Sequence, residues 1–235
     1  MGRRKKAPKK SHLIMVLDRS GSMRGIKADT EGGFDSMIED LRKSGADGTV
    51  TLVQFDTEHE TVYEQLDLAD VPKLTLLPRG GTALRDGVGE AIRRAEKFVK
   101  PGDNVSVTIM TDGGENSSVE YSQEAITSLM DEKKEQGWEF NFLGAGPAAW
   151  GGAQMLGIQA SHVINYAGDG QSHRRAFAAA SLSNTAKLRG ESSSYALAAS
   201  DIKTALETEA GSMPDVQINF GVPPVRRRGS GKPTK

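Results

Sequence analysis

The chain has 235 residues, of which 37% are apolar and 26% charged, as expected for a globular protein with one large or two small domains. It contains no cysteine, which excludes disulfides, thiolate catalysis and cysteine-ligated metals. No apolar run approaches the roughly 18 residues of a membrane span, and the run after the basic N-terminus is too short for a secretory signal. We therefore expect a cytoplasmic protein without a membrane partner.

Charge is segregated along the chain, although the net charge is only −1. Residues 1–10 carry six cations and residues 221–235 carry five, and neither segment contains an acid. The residues between them hold 19 cations against 31 acids, a net charge of −12. Charge runs of this kind are usually solvated, so we predict a disordered basic arm at 1–10 and a weakly ordered basic extension at 191–235.

Contact with an anionic partner is the alternative for these basic tails. Clustered lysines and arginines attract nucleic acid or an acidic protein surface. No aromatic residue interleaves with either cluster, which argues against stacking on single-stranded bases. An adaptor that binds nucleic acid through its tails therefore stays open as an interpretation.

The first half of the chain predicts alternating strands and helices. His12–Asp18 is a continuous apolar run, typical of a buried parallel strand, and apolar residues from Phe34 to Leu41 recur at helical spacing. Thr49–Asp56 is rich in β-branched residues and predicts a second strand. Only three residues separate it from Glu60–Leu66, so this third strand must be antiparallel to it, and its polar alternation suits a sheet edge.

The second half continues the same alternation. The predicted elements are a helix whose apolar stripe begins at Leu84, a strand from Asn104, a helix through Ile126 and Met130, a strand at 139–146, a short helix at 150–156, a strand at 162–166, and helices at 176–188 and 201–209. This order predicts an α/β fold, a three-layer Rossmann-like sandwich. We expect a mostly parallel central sheet with one antiparallel edge strand and with helices on both faces.

Hydroxyl and carboxylate side chains occur where two of these strands end and where a helix begins between them. In α/β sheets, ligands bind beyond the carboxyl ends of the strands, where the strand order reverses. No histidine or cysteine follows closely to activate a hydroxyl, whereas hydroxyl and carboxylate oxygens suit a small hard cation. The sequence therefore predicts a site for Mg²⁺, or for Mn²⁺ or Ca²⁺. Its candidate ligands are Asp18, Ser20, Ser22, Thr82 and Asp112.

At these residues the sequence resembles the von Willebrand factor A domain with its metal-ion-dependent adhesion site. The family's Asp-x-Ser-x-Ser, distant Thr and Thr-Asp-Gly motifs stand here as DRSGS, GGTAL and TDGG, in the family's order, within residues 11–190. The resemblance implies direct or switchable coordination by Ser20, Ser22 and Thr82. It implies contact mainly through water for Asp18 and Asp112.

The leading interpretation is a non-enzymatic adhesion or adaptor module that binds a protein. Three neutral hydroxyls would leave the metal strongly electrophilic, so it would accept an acidic side chain from the partner. An alternative is a metal-dependent hydrolase of phosphate esters, although no nearby base stands out. Taken singly, each predicted ligand also fits a turn or a helix cap.

A second motif and several neighbouring side chains complete the candidates. Gly144–Ala149 fits the outline of a dinucleotide fingerprint, with Asp169 about 20 residues further on, but Pro147 removes one amide and the unit comes late in the sheet. A chance match is the simpler explanation. The side chains expected to be solvated are Asp86, Glu115, Asn116 and His173.

Overall fold

A computed structural model describes residues 9–166 and 170–191, without the side chains of residues 145–149, 165 and 170–172. Six strands and five α-helices alternate along this part of the chain. The strands are β1 (Ser11–Asp18), β2 (Thr49–Phe55), β3 (His59–Asp67), β4 (Asn104–Thr111), β5 (Glu139–Ala145) and β6 (Val163–Tyr166). The helices are α1 (Lys27–Lys43), α2 (Leu84–Glu96), α3 (Gln123–Glu135), α4 (Gly146–Met155) and α5 (Gly170–Leu188).

The strands form one sheet in the order β3-β2-β1-β4-β5-β6. Four of the five neighbouring pairs are parallel, and β3 lies antiparallel to β2 at the edge, as predicted. All eight residues of β1 are buried because the strand lies inside the sheet with helices on both faces. The strand order reverses at β1, since β2 lies on one side of it and β4 on the other.

Two hydrophobic cores lie on the two faces of the sheet. Side chains of β1 alternate between them, so that Leu13 and Leu17 pack on the α1 and α5 side while Ile14 and Val16 pack on the α2, α3 and α4 side. This arrangement confirms the three-layer α/β fold. In the part of the chain that the structure describes, none of the helices is long and apolar enough to cross a membrane.

Two helices begin earlier than their apolar patterns predict. Helix α4 begins at Gly146, four residues before the predicted start, and Pro147 is accommodated because the amides of a first helical turn need no partner. Helix α5 begins at Gly170, six residues early, since its first turns lack the large apolar residues that reveal a helix. The predicted helix at 201–209 lies outside the described residues, as do both predicted tails except for residues 9, 10 and 191.

Candidate metal centre

Two neighbouring parallel strands bring the predicted carboxylates to one edge of the sheet. Asp18 is the last residue of β1, and Asp112 follows the last residue of β4. The register pairs Leu17 with Met110, so Thr111 stands beside Asp18 and its Oγ1 donates a hydrogen bond of 2.5 Å to Asp18 Oδ2. Parallel pairing thus places residues from two distant segments in contact.

The two predicted serines join the carboxylates at this edge. Ser20 Oγ and Ser22 Oγ lie 3.0 Å apart, and Ser22 Oγ donates to Asp112 Oδ1 at 2.6 Å. Asp18 Oδ1 accepts the backbone N–H of Ser20 at 2.6 Å, which fixes the turn. With Mg²⁺–oxygen bonds of about 2.1 Å, adjacent ligands of an octahedral ion lie about 3.0 Å apart. The serine hydroxyls have this spacing.

Thr82 completes the set from a third loop, as the surroundings of Gly113 show. A Cβ atom built on Gly113 would lie 3.3 Å from Thr82 Oγ1, 3.5 Å from Ser22 Oγ and 4.0 Å from Asp18 Oδ2. Three oxygen atoms from two loops therefore surround one small volume beside the third loop, and the absence of a side chain at Gly113 leaves this volume free. All five predicted residues lie together at this edge of the sheet.

The charge at this edge is uncompensated by protein cations. Asp18 is 0% exposed, and no described lysine or arginine forms an ion pair with it or with Asp112. Burial raises the pKa of Asp18 to about 6, although hydrogen bonds from Thr111 and Ser20 favour the ionised carboxylate. A divalent cation would stabilise that ionised form, so the donor set fits a hard metal ion.

A metal at this centre would depend on hydroxyl oxygens as well as carboxylates. Among the residues that the structure describes, no group of three or more His, Asp and Glu side chains could hold a metal ion. This composition favours Mg²⁺, Mn²⁺ or Ca²⁺ over softer metals, which prefer imidazole or thiolate ligands.

A buried carboxylate that the sequence did not reveal holds two of the three loops together. Asp56 lies just after β2 and accepts hydrogen bonds from Arg19 Nε at 2.7 Å, Arg79 Nε at 2.8 Å and the Glu58 amide at 3.0 Å. Burial opposes ionisation, but the bonds from Arg79, Glu58 and Arg19 outweigh it and lower the pKa of Asp56 to about 2. Because Arg19 lies inside the DRSGS motif, Asp56 links that motif to the loop that carries Thr82.

The backbone of these two loops is also joined directly. Gly21 N donates to Gly80 O at 3.1 Å, and Arg79 N donates to Arg19 O at 2.8 Å. Gly80 has a φ of 63°, and a Cβ there would lie 2.8 Å from Thr57 Oγ1, so this position requires glycine. The loops therefore meet at a fixed distance beside the candidate ligands.

The structure agrees with only some of the predictions of solvent exposure for the neighbouring side chains. Asn116 is exposed, but its Oδ1 accepts the Thr82 amide at 2.8 Å. Glu115 is partly buried and accepts the amides of Ser117 and Ser118. The predictions for Asp86 and His173 were wrong.

Both wrong predictions concern polar side chains that tertiary contacts bury. Asp86 is 4% exposed because its carboxylate accepts the backbone amides of Val119, Glu120 and Tyr121. His173 is buried, with its ring centre 4.3 Å from that of Tyr166. The Asp86 contacts join two distant loops, so no local pattern could reveal them, whereas Tyr166 is near His173 in sequence but belongs to a different element.

The competing dinucleotide motif spans the junction of β5 and α4. Gly144 lies in β5, and the helix begins at Gly146. Asp169, the residue that would meet a ribose, lies outside the described residues. The structure therefore adds no ligand contact to this motif.

Comparison with known proteins finds structural similarity alone. No family model matches the sequence, and no curated protein matches it. The fold is similar to that of a pilus adhesin, SpaC of Lactobacillus rhamnosus GG, with a TM-score of 0.64 and 13% identity over 78% of this chain and 31% of the other.

Two further solved structures have a similar fold. A von Willebrand factor type A structure from Catenulispora acidiphila has a TM-score of 0.54 and 15% identity over 75% of this chain and 43% of the other. Proximal thread matrix protein 1 from the mussel byssus, with a zinc-occupied MIDAS motif, has a TM-score of 0.54 and 18% identity over 69% of this chain and 42% of the other.

All three identities are low, and the matches span less than half of each of these longer chains. Such similarity establishes the fold, and the topology of the sheet agrees with it. The described part of the chain has the fold of von Willebrand factor A domains.

Proposed function

We propose that the chain is a non-enzymatic module that binds a protein partner through a divalent cation at the carboxyl end of the sheet. The observation that carries this proposal is the convergence of Thr82 Oγ1, Ser22 Oγ and Asp18 Oδ2 around the space beside Gly113. The protein-interaction role agrees with the fold, which the pilus adhesin shares. A divalent cation agrees with the zinc-occupied MIDAS motif of the mussel protein.

The roles of the five side chains follow from their charge and position. Ser20, Ser22 and Thr82 would contribute neutral hydroxyl oxygens, while Asp18 and Asp112 would balance the charge of the ion and orient its water molecules. When bound, the cation would supply a Lewis-acidic position for a carboxylate. Because the hydroxyls carry no charge, they do not neutralise the cation, and a carboxylate from a partner's Asp or Glu would bind favourably at this position.

The absence of enzymatic activity is part of the proposal. Three of the five side chains around the centre carry hydroxyls and two carry carboxylates, and we assign all five to the cation. None of them is therefore available as a general base. A screen of phosphate esters tests this part of the proposal. Metal-dependent hydrolysis by the wild type that is lost in Ser20→Ala would refute a non-enzymatic function and indicate a catalytic one.

Isothermal titration with Mg²⁺ and with Mn²⁺ tests the metal. The double variant Ser20→Ala/Ser22→Ala removes two hydroxyl oxygens and should lower the affinity at least tenfold. Ser128→Ala, on the exposed face of α3, is the matched control and should bind as wild type does. Equal affinities for wild type and the double variant would refute the assigned centre.

Chelation tests the partner's contribution. Protein partners retained by the immobilised chain in Mg²⁺ should be released by EDTA, and Asp112→Ala should retain none of them. Binding that survives both EDTA and Asp112→Ala would contradict a metal-bridged contact.

A further inference from the structure

Two exposed apolar side chains lie on the loops that surround the candidate centre. Val119 is 90% exposed and Leu77 is 68% exposed, the highest values among the large apolar residues that the structure describes. Val62 on β3 and Leu182 on α5 are each 45% exposed. The two most exposed of these apolar side chains therefore belong to the loops that carry Thr82 and Asp112.

Val119 is connected to the centre through a short, hydrogen-bonded path. Asn116 N donates to Thr82 O at 3.0 Å, and Asn116 Oδ1 accepts Thr82 N at 2.8 Å. Val119 follows Asn116 by three residues, which span at most about 10 Å even when fully extended. Val119 therefore lies within about 10 Å, along the backbone, of a residue that is hydrogen-bonded to Thr82.

Leu77 lies on the opposite side of the centre. Its neighbour Leu76 donates its amide to Glu31 Oε1 of α1, and Arg79 N donates to Arg19 O beside the serines. Val119 is bound to Asp86 of α2 on the other face of the sheet. The candidate centre therefore lies between two apolar side chains.

The loop that displays Val119 is held in one conformation by a buried carboxylate. Asp86 Oδ2 accepts Val119 N at 2.7 Å, and Asp86 Oδ1 accepts Tyr121 N at 2.9 Å. Both oxygens also accept Glu120 N at 3.1 Å. These bonds offset the cost of burying the carboxylate. A fixed loop binds without the entropic cost of ordering itself, so the exposed valine is preorganised for contact.

We propose that Val119 and Leu77 select which acidic segment binds at the centre. The occupant is a protein segment whose metal-binding Asp or Glu has a large apolar side chain within two residues on each side. A cation accepts any carboxylate, so coordination alone cannot distinguish acidic partners, whereas apolar contacts on both sides can. This inference rests on the proposed metal-dependent function.

Selection from a random peptide library displayed on phage tests the inference. The library is bound to the full chain in Mg²⁺ and eluted with EDTA. The eluted peptides should share an Asp or Glu with Leu, Ile, Phe, Met or Val within two positions on each side of it. A selected peptide should then bind Val119→Ser and Leu77→Ser about five- to tenfold more weakly than wild type.

Two further variants separate contact from folding. Val62→Ser removes an exposed apolar side chain on β3, away from the centre, and should change peptide affinity less than twofold. Val119→Ile keeps an apolar side chain and should bind within twofold of wild type. Circular dichroism should show unchanged folding for all four variants, since each replaced side chain is exposed.

The outcomes distinguish this inference from the function on which it rests. Acidic peptides without apolar residues on both sides of the carboxylate, or unchanged affinity in Val119→Ser and Leu77→Ser, would overturn the apolar contacts and leave the metal-dependent function intact. Failure to recover any acidic peptide by EDTA elution would overturn the metal-dependent function and this inference with it.

Discussion

Gly113 and Gly114 are adjacent, but only the first has atoms of the candidate centre around it. A Cβ on Gly113 would lie within 4.0 Å of three ligand oxygens, whereas a Cβ on Gly114 would meet nothing within 4 Å. We expect Gly113→Ala to lower Mg²⁺ affinity at least tenfold, because the methyl group occupies the space between the ligands. Gly114→Ala should bind as wild type does in the same calorimetric titration. Equal affinity in both variants would show that the cation lies elsewhere.

The Asp56 carboxylate should make the stability of the chain depend on pH. Its pKa in the folded chain is about 2, below the ordinary value of 3.8, so it binds fewer protons folded than unfolded between these values. Its ionised form therefore stabilises the fold fully above about pH 4, by about 2 kcal/mol, and this contribution disappears as the pH falls towards 2.

Urea unfolding at several pH values measures this contribution. Asp56→Asn should lower the free energy of unfolding by about 2 kcal/mol at pH 7, and the deficit should shrink below pH 4. The control Asp131→Asn replaces an exposed carboxylate of α3 and should change it by less than about 0.5 kcal/mol. A deficit that stays constant down to pH 2 would argue against the assigned ion pairs.

Residues whose spacing forms a motif could be predicted from the sequence. Residues whose role depends on contacts with distant segments of the chain could not. Four of the five oxygen ligands stand at or just after the ends of β1 and β4, and Thr82 stands just before α2, so their convergence could be predicted from the parallel topology. Asp56 and Asp86 stand in no such motif, and their burial depends on amides and guanidinium groups of other loops. Asp86 was therefore assigned to solvent, although it is buried.

Among the elements, α5 packs on the sheet through a polar contact as well as apolar ones. Asn184 Oδ1 accepts Ser106 Oγ at 2.7 Å and Thr108 Oγ1 at 3.2 Å, and all three side chains are fully buried. Ser106 Oγ also accepts Asn141 Nδ2 at 3.2 Å. These bonds connect α5 to β4 and β5 and fix the position of the helix on the sheet.

Removal of the Asn184 amide should destabilise the chain. Asn184→Ala leaves the buried hydroxyls of Ser106 and Thr108 without their acceptor, so the free energy of unfolding should fall by about 1–3 kcal/mol. Leu182→Ala, at a more exposed position of the same helix, should cost less than about 1 kcal/mol. Urea unfolding at pH 7 compares the two, and equal losses would contradict a specific role for the amide.

The elements themselves were predicted from apolar patterns wherever those patterns exist. β1 and β2 were evident from continuous apolar and β-branched runs, and the short connection to β3 required its antiparallel pairing. The first turns of α5 contain no large apolar residue, so the helix was predicted six residues too short. Its polar contact through Asn184 has no sequence signature, because an isolated asparagine on a helix is usually solvated.

At the scale of the whole molecule, the candidate centre and the described ends of the chain lie at opposite ends of the sheet. Ser11, the first residue of β1, donates from its Oγ to Leu188 O at the end of α5, at 2.6 Å. Lys10 N donates to Asp103 Oδ1 just before β4 begins. Residues 10 and 191 therefore lie at the end of the sheet opposite Asp18 and Asp112.

Cation binding should stabilise the whole fold, because the ligands converge only in the folded chain. At a Mg²⁺ concentration 100 times the dissociation constant, linkage gives about 2.7 kcal/mol, which corresponds to a rise in Tm of about 5–10 °C for a chain of this size. Differential scanning calorimetry with Mg²⁺ or EDTA measures the shift. The Ser20→Ala/Ser22→Ala variant should show no shift, and an equal rise in this variant would indicate that Mg²⁺ binds elsewhere.

The central claim is that one divalent cation binds among oxygen atoms from three loops at the carboxyl end of the sheet. An anomalous difference map from crystals of the chain grown in Mn²⁺ tests it most directly. We predict one strong peak about 2.0–2.2 Å from Ser20 Oγ and Ser22 Oγ, on the side that faces Thr82 and the space beside Gly113. A map with no peak there, or with its strong peak at another part of the chain, would contradict the account.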